Sequence, residues 1–185
     1  MKLLSYILIG FLWMTSCSSN EDIKNNIMEN GQEETIQKAP ELRVDQWIDA
    51  NGEKTDPIRL ADYKGKFKII YCFQHWCPGC HSVGLPSLKR LVDEFNENDK
   101  FAFFAVQTVF EGQESNTYER IAETQEKYDL KIPFGHDPGN DRSTIMEDYN
   151  TRGTPWFIFI DESDHVIFAD YHINTDRAIE FLKKI

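Results

Sequence analysis

A long apolar segment runs directly into two closely spaced cysteines, and this junction constrains the fold of the chain more than any other feature. The segment KFKIIYCFQ, residues 66–74, is rich in aromatic and β-branched side chains, which predicts a buried central strand. It is followed by HWCPGCH, residues 75–81, and by a predicted helix over residues 81–98 that Pro86 should kink. Apolar residues share one face of this helix, namely Leu85, Leu88, Leu91, Val92 and Phe95.

The cysteine pair, Cys77 and Cys80, is compatible with several chemistries. A C-x-x-C can be a redox dithiol, half of a zinc site or, when His81 follows, the attachment sequence of a c-type haem. Haem would need a second axial ligand, and zinc would need ligands beyond Cys72, which lies on the predicted buried strand. A cysteine at the start of a helix has its thiolate stabilised by the helix dipole and by unpaired N–H groups. The position of the motif therefore favours a dithiol that alternates with a disulfide.

Further strands are predicted on both sides of this junction. Asn51-Gly52 is a strong hairpin turn signal between two short segments. Residues 100–110 are a second apolar run and are predicted to form another central strand. Residues 155–172 are predicted to form two strands around a turn.

Three more helices are predicted, over residues 116–130, 141–150 and 175–185. In the first of them, Asn116 and Glu119 have the spacing of a helix cap and its N3 partner. The resulting order, β-β-β-α-β-α-α-β-β-α, indicates an α/β sandwich with a central mixed sheet.

The first residues have the form of an export signal. Lys2 precedes a mostly apolar run over residues 3–14, which is too short to span a bilayer comfortably and is followed by small residues. Residues 15–17, TSC, are similar to the cleavage box of bacterial lipoproteins, in which the cysteine is acylated. We therefore predict a lipoprotein-type signal peptide over residues 1–16 and a lipid anchor at Cys17. The alternative is a simple secretory signal that leaves Cys17 as a free thiol.

A polar segment separates this signal from the rest of the chain. Residues 17–38 are rich in Asn and Glu and poor in aromatic residues, which predicts a tether and assigns the folded domain to residues 39–185. The chain has a net charge of −11 at pH 7 and no basic stripe, which excludes nucleic-acid binding.

Three segments of the predicted domain carry a family resemblance. They are the hairpin region over residues 39–66, the cysteine segment over residues 65–91, and TRGTPWFIFIDESDHVIF over residues 151–168. Together they resemble the exported, membrane-tethered TlpA/ResA-like thiol–disulfide oxidoreductases of the redoxin superfamily. The resemblance implies a thioredoxin-like α/β sandwich with a central mixed sheet, an N-terminal β-hairpin extension and an inserted helix.

The resemblance also implies roles for individual residues. Cys77 would be the attacking thiolate and Cys80 the resolving thiol of a redox-active disulfide. Thr154-Pro155 would be a cis peptide bond facing the dithiol, where the neighbouring backbone can pair with an extended substrate. The alternative for Pro155 is an ordinary strand-edge proline. Trp76 would shape the substrate surface, or else pack in the core.

The chain departs from thioredoxins at one position. Thioredoxins have a buried Asp on the strand before the dithiol, which assists proton transfer to the resolving cysteine, and the matching residue here is Tyr71. In the TlpA/ResA-like group a Glu after the next strand can occupy similar space, and Glu111 matches that place. Glu111 is therefore expected to accept the proton of Cys80, with a solvated loop residue as the alternative. His75 and His81 flank the motif and are expected to be solvated.

The implied function is an exported thiol–disulfide oxidoreductase of the bacterial cell envelope, either periplasmic or an outer-membrane lipoprotein. Pro78 and Gly79 between the cysteines provide no His to stabilise the thiolate strongly, which favours a reductase of client protein disulfides supplied by a membrane electron donor. No cofactor and no metal ion is expected. One alternative is a module that binds or delivers a soft metal such as Cu(I) through Cys77, Cys80 and a nearby His. The other is a thiol peroxidase of the same superfamily, although the residues CFQHW before Cys77 lack the Pro and Thr or Ser typical of peroxiredoxins.

Overall fold

The centre of the protein is one eight-stranded sheet. The structure, a computed structural model, describes residues 37–140 and 142–185. Its strands are β1 Gln37–Lys38, β2 Gln46–Ile48, β3 Lys54–Thr55, β4 Phe67–Phe73, β5 Phe101–Thr108, β6 Phe134–Asp137, β7 Trp156–Ile160 and β8 His165–Asp170. The apolar run before the cysteines forms β4 as predicted, and every residue of that strand is buried.

The sheet is mixed, with the strand order β1-β8-β7-β4-β5-β6-β2-β3. The central strands β4, β5 and β6 run parallel, while β7, β8 and β1 on one side and β2 and β3 on the other add antiparallel pairs. The predicted hairpin is confirmed, because β2 and β3 pair across a turn in which Gly52 adopts a φ of +84°. The prediction of an α/β sandwich with a central mixed sheet is likewise confirmed.

The helices lie where the apolar periodicity places them. A π-helical turn, Cys80–Gly84, leads into α1 Leu85–Phe95, and the other helices are α2 Glu119–Lys127, α3 Thr144–Asp148 and α4 Thr175–Leu182. The whole apolar face predicted for α1 is buried. In α4 the Asn174 side chain accepts a hydrogen bond from the Arg177 N–H, which caps the first turn.

The predicted kink at Pro86 takes the form of the π-helical turn that precedes it. Proline has no N–H to donate to the carbonyl four residues earlier. The chain widens the turn instead, and the Leu85 N–H donates to the carbonyl of Cys80, five residues back. This irregularity lies in the turn that carries the second cysteine.

Side chains alternate between the two faces of β4. Ile69, Tyr71 and Phe73 point into a core that also contains the buried faces of α1, α2 and α4. Ile70 and Cys72 point into a second core on the opposite face, which contains the segment before β2 and the buried side of α3. The two cysteines of the motif belong to the first of these cores, whereas Cys72 belongs to the second.

Two strands were absent from the sequence-based order. β6 is short, contains Gly135 and ends at Asp137, so it lacks the apolar alternation by which the other strands are predicted. β1 lies within the segment predicted as a tether, since Gln37 and Lys38 pair with Val166 and His165 of β8. The ordered sheet therefore begins two residues before the predicted domain boundary at residue 39.

The predicted signal peptide, the lipid anchor at Cys17 and nearly all of the tether lie outside the described residues. Over residues 37–140 and 142–185, no helix combines the length and the apolar character needed to cross a bilayer.

Candidate active site

The two cysteines of the motif are joined in a disulfide at the carboxyl end of β4. Cys77 and Cys80 have Cα atoms 5.3 Å apart, a separation typical of disulfides. Cys77 retains 6% of its surface exposed, whereas Cys80 is fully buried. A partner molecule can therefore reach Cys77 first, and Cys80 is placed to act on the Cys77 sulfur from within the protein.

The environment of Cys77 favours negative charge on its sulfur. The Cys80 N–H lies 3.1 Å from the Cys77 Sγ and points at it from the first turn of the helix. Donors of this kind, together with the helix dipole, stabilise a thiolate. On the other side, the carbonyl oxygen of Thr154 lies 3.7 Å from the same sulfur.

The Thr154–Pro155 peptide bond is cis, as predicted. Pro155 contacts the helix start on the far side of the dithiol: a Cβ placed on Gly79 would lie 3.4 Å from its Cδ, and one on Gly84 would lie 2.9 Å from its Cβ. The loop that carries Pro155 therefore packs directly over the turn that carries the cysteines.

Tyr71 occupies the space under Cys80. Its hydroxyl donates a 3.3 Å hydrogen bond to the carbonyl of Cys80, and burial raises the pKa of this phenol well above its ordinary value. A methyl group on Gly84 would overlap the Tyr71 hydroxyl oxygen. Gly84 thus makes room for Tyr71 within the helix, a pairing that the sequence signals only as a glycine in a helical segment.

A loop after β5 supports the segment just before Cys77. Trp76, with 45% of its surface exposed, lies over Gly112, whose φ is +61°. Asn116 is buried, and its Nδ2 donates to the carbonyls of Glu111 and Gly112 at 3.1 and 3.0 Å. The Oδ1 of Asn116 accepts a 2.7 Å hydrogen bond from the His75 N–H.

The prediction that Asn116 caps a helix is therefore wrong. The helix α2 begins only at Glu119, and the Asn116 side chain joins two loops. The bond to His75 spans 41 positions of the sequence, which is why the local S/T/D/N-x-x-E pattern misassigned it.

The backbone of Glu111, but not its side chain, is bonded to the segment before the motif. Its carbonyl accepts hydrogen bonds from Gln74 and Asn116, while its side chain is exposed. Within the described part of the chain, the Glu111 carboxylate forms no hydrogen bond to another residue. The structure thus brings the loop of Glu111 to the dithiol segment without bringing the carboxylate into contact with Cys80.

His75 and His81 are not free in solvent, contrary to expectation. His81 Nε2 lies 2.6 Å from the His75 carbonyl oxygen, and His81 Nδ1 lies 2.9 Å from the Tyr128 hydroxyl. The His75 ring contacts the Thr124 hydroxyl at 3.1 Å. Burial, followed by the nearby Arg120 cation, lowers the pKa of His75, which favours its neutral form.

Exposed apolar side chains flank the disulfide. Among the described residues, the large apolar side chains that are exposed are Trp76, Val83 and Tyr171. Trp76 precedes Cys77, Val83 follows in the π-helical turn, and Tyr171 donates to the carbonyl of Arg152 in the loop before Pro155. Exposed apolar side chains that form one patch are typical of surfaces that bind other proteins, which makes these three residues candidates for such a surface.

The structure also bears on the role of Cys72 and on the metal-binding alternatives. Cys72 is fully buried on the opposite face of the sheet, and burial raises the pKa of its thiol. Over residues 37–140 and 142–185, no group of three or more His, Cys, Asp or Glu side chains is arranged to hold a metal ion.

Comparison with known proteins agrees with this site. A family model described as the AhpC/TSA family matches residues 36–169. No curated protein matches the chain. A solved structure of a thioredoxin-like superfamily protein is 31% identical, with a TM-score of 0.70 and a match that covers 80% of this chain and 96% of that one.

More distant solved structures share the fold. A thiol-disulfide isomerase from Corynebacterium glutamicum is 21% identical, with a TM-score of 0.65 over 78% of this chain and 95% of that one. A secreted disulfide oxidoreductase from Mycobacterium tuberculosis is 18% identical, with a TM-score of 0.56 over 76% and 95% of the two chains. The predicted thioredoxin-like fold is confirmed by these likenesses.

Proposed function

Because this chain belongs to the AhpC/TSA family and carries a Cys77–Cys80 disulfide, we propose that it is a thiol–disulfide oxidoreductase that is exported to the bacterial cell envelope and reduces disulfides of client proteins there. The observation that carries the proposal is the unequal exposure of the two cysteines. Cys77 keeps a small part of its surface accessible, whereas Cys80 is fully buried. In this arrangement a client sulfur can reach Cys77, while Cys80 can react only with the Cys77 sulfur.

The proposed reaction transfers two electrons in two exchanges. The Cys77 thiolate attacks one sulfur of the client disulfide, which breaks that bond, forms a mixed disulfide and releases a client thiolate that takes up a proton. Cys80 then loses its proton, and its thiolate attacks the Cys77 sulfur. The second client thiolate leaves and is protonated, and the Cys77–Cys80 disulfide forms. A dithiol donor must return two electrons and two protons for the next cycle.

The client would bind across the exposed apolar surface. Trp76, Val83 and Tyr171 offer side-chain contacts around Cys77, and the Thr154 carbonyl beside the sulfur offers a backbone acceptor. An aromatic contact supports this surface, since the ring of the exposed Tyr171 lies 4.6 Å from that of the buried Trp156, edge to face. Clients with apolar side chains next to their disulfide fit this surface best.

Glu111 remains our proposed proton acceptor for Cys80. What supports it is the position of its backbone, which Gln74 and Asn116 hold against the segment before Cys77. Replacing Glu111 by Gln should slow the Cys80 step and alter the pH–rate profile, while Glu114→Gln, on an exposed neighbour, should not. An unchanged profile in Glu111→Gln would reject this role.

A lipid anchor at Cys17 and a membrane electron donor complete the proposal. The support is the sequence pattern of the first 17 residues. The protein should fractionate with membranes, and Cys17→Ala should release it. Mass spectrometry of the native N-terminus would identify the acyl groups, and an unmodified Cys17 in mature protein would contradict the anchor.

The decisive experiment is the equilibrium reduction potential of the purified protein, read by thiol trapping in defined glutathione buffers, together with reduction of a model protein disulfide. A potential near that of thioredoxin, about −270 mV, supports a reductase. A potential near about −120 mV would make the protein a disulfide donor instead. Consumption of peroxide in proportion to thiol loss, with no exchange activity, would assign a peroxidase.

A further inference from the structure

The turn that carries Cys80 leaves one carbonyl without its usual donor. In a regular α-helix the His81 carbonyl would accept from the N–H of Leu85, but here that N–H donates to Cys80. The next residue is Pro86, which has no N–H. The hydroxyl of Tyr128, at the end of α2, lies 3.1 Å from the His81 carbonyl oxygen and donates to it.

The His81 ring contacts the same hydroxyl and the segment before the motif. Its Nε2 lies 2.6 Å from the His75 carbonyl, which only accepts hydrogen bonds, so Nε2 carries a hydrogen. Its Nδ1 lies 2.9 Å from the Tyr128 oxygen. The hydroxyl proton of Tyr128 therefore faces two acceptors on His81, the ring nitrogen and the carbonyl. If Nδ1 takes up a proton it becomes the donor, and the Tyr128 proton passes to the carbonyl, so the contacts persist in both forms.

The other partner, His75, is itself held in place. Its N–H donates to Asn116, and its ring contacts Thr124 of α2 at 3.1 Å. The His81–His75 hydrogen bond consequently links a fixed residue before Cys77 to the turn after Cys80. It spans the C-x-x-C from one side to the other.

We propose that His81, held by Tyr128, is a positioning residue that fixes the backbone on both sides of the cysteine pair and so favours closure of the disulfide. The inference rests on the proposed function, because it concerns the second exchange of that reaction. A dithiol held close in its closed geometry loses less conformational freedom when the S–S bond forms. The restraint therefore makes the pair a stronger reductant and speeds the attack of Cys80 on the mixed disulfide.

The test compares His81→Gln and Tyr128→Phe with wild type and with His172→Gln, which changes an exposed histidine far along the sequence from the motif. Each purified protein is equilibrated with glutathione and glutathione disulfide. Closure of the Cys77–Cys80 bond transfers two electrons and two protons to glutathione disulfide, which becomes two glutathione molecules. Thiol trapping gives the equilibrium constant for this closure.

We expect the equilibrium constant for closure to fall about tenfold in His81→Gln, a shift of about 30 mV towards oxidising potentials. Tyr128→Phe keeps the imidazole and should lose about threefold. His172→Gln should match wild type. The mixed disulfide with glutathione should also be more populated at equilibrium in His81→Gln, because its conversion to the Cys77–Cys80 disulfide is less favourable.

Measurements at pH 6 and pH 8 separate positioning from charge. Positioning by hydrogen bonds predicts the same shift at both pH values, since the contacts persist in either form of the ring. A wild-type constant in both variants would overturn the inference, and so would a shift seen at pH 6 alone. If His81→Gln fails to fold, as judged by circular dichroism, Tyr128→Phe decides the matter by the same criteria.

The glutathione equilibrium needs no client protein, so its result is independent of the client-reduction assay. If the equilibrium constant shifts in the variants but wild type reduces no client, the positioning role stands and the proposed function is rejected. If wild type reduces the client but the equilibrium constant does not shift in the variants, the proposed function stands and the positioning role is rejected.

Discussion

Cys72 and Cys80 are both fully buried, yet they lie on opposite faces of the sheet and have different chemistry. Cys72 sits in mid-strand among apolar side chains, where burial raises the pKa of its thiol and leaves it unreactive. Cys80 lies in a helical turn, one turn from Cys77, to which it is bonded and which keeps 6% of its surface exposed. The comparison shows that burial by itself does not make a cysteine structural. What distinguishes Cys80 is its disulfide to Cys77, a cysteine that keeps a small part of its surface accessible.

The largest expected effect separates the two cysteines directly. Cys80→Ser should reduce catalytic turnover to background, because the mixed disulfide at Cys77 then has no internal thiol to resolve it. Cys72→Ser should retain turnover. A client-disulfide reduction assay, with mass spectrometry for the trapped mixed disulfide, measures both. Loss of turnover in Cys72→Ser at unchanged stability would contradict the conclusion that Cys72 takes no part in the reaction.

The next effect concerns the tight packing around Cys80. Gly84→Ala should destabilise the protein by about 1–3 kcal/mol, since the new methyl group overlaps the Tyr71 hydroxyl and crowds Pro155. Gly79→Ala is the matched control: it has a helical φ of −63° and a Cβ there meets Pro155 at ordinary contact distance. Urea unfolding of the two oxidised variants gives the difference. Equal free energies of unfolding would show that the space between Gly84 and Tyr71 accommodates the added methyl group.

A smaller effect is expected for the hydrogen bond beneath Cys80. Tyr71→Phe removes the donor to the Cys80 carbonyl and should lower the free energy of unfolding by about 0.5–1.5 kcal/mol. The ring itself, which lies 4.8 Å from Phe157, stays in place. Urea unfolding checks the value, and an unchanged or increased stability would mean that the phenol contributes nothing there.

The smallest effect on activity is expected on the opposite face. Cys72→Ala removes one buried sulfur atom and should lower stability by about 1 kcal/mol, with turnover and reduction potential as in wild type. Thermal unfolding and the glutathione equilibrium measure these quantities. A changed potential would show that the two faces of β4 are coupled.

The features that were predicted correctly are those encoded locally. The burial of β4, the apolar face of α1 and the turn at Gly52 each follow from a few consecutive residues. The cis bond before Pro155 was expected from a family resemblance that also rests on a short motif.

The features that were missed depend on distant residues. β6 is held by long-range packing, because Gly135 lies directly against the ring of Trp47, where a Cβ would be 3.1 Å away. Asn116 resembles a helix cap until its bond to His75 is known. The fit of Gly84 against Tyr71 has no periodic signature at all. Periodicity reports which face of an element is buried, but it does not report which polar group meets which across the fold.

The pairing of β1 has a consequence for how the domain is oriented. β1 joins the sheet beside Val166 of β8, which lies opposite Ile160 of β7, and Ile160 in turn pairs with Lys68 at the start of β4. The dithiol follows the other end of that strand at Phe73, about 17 Å from Lys68 at about 3.3 Å per residue. Gln37, the first described residue, thus lies at the end of the sheet opposite Cys77. A surface that contacts the protein next to Gln37 therefore lies at the end of the sheet away from Cys77.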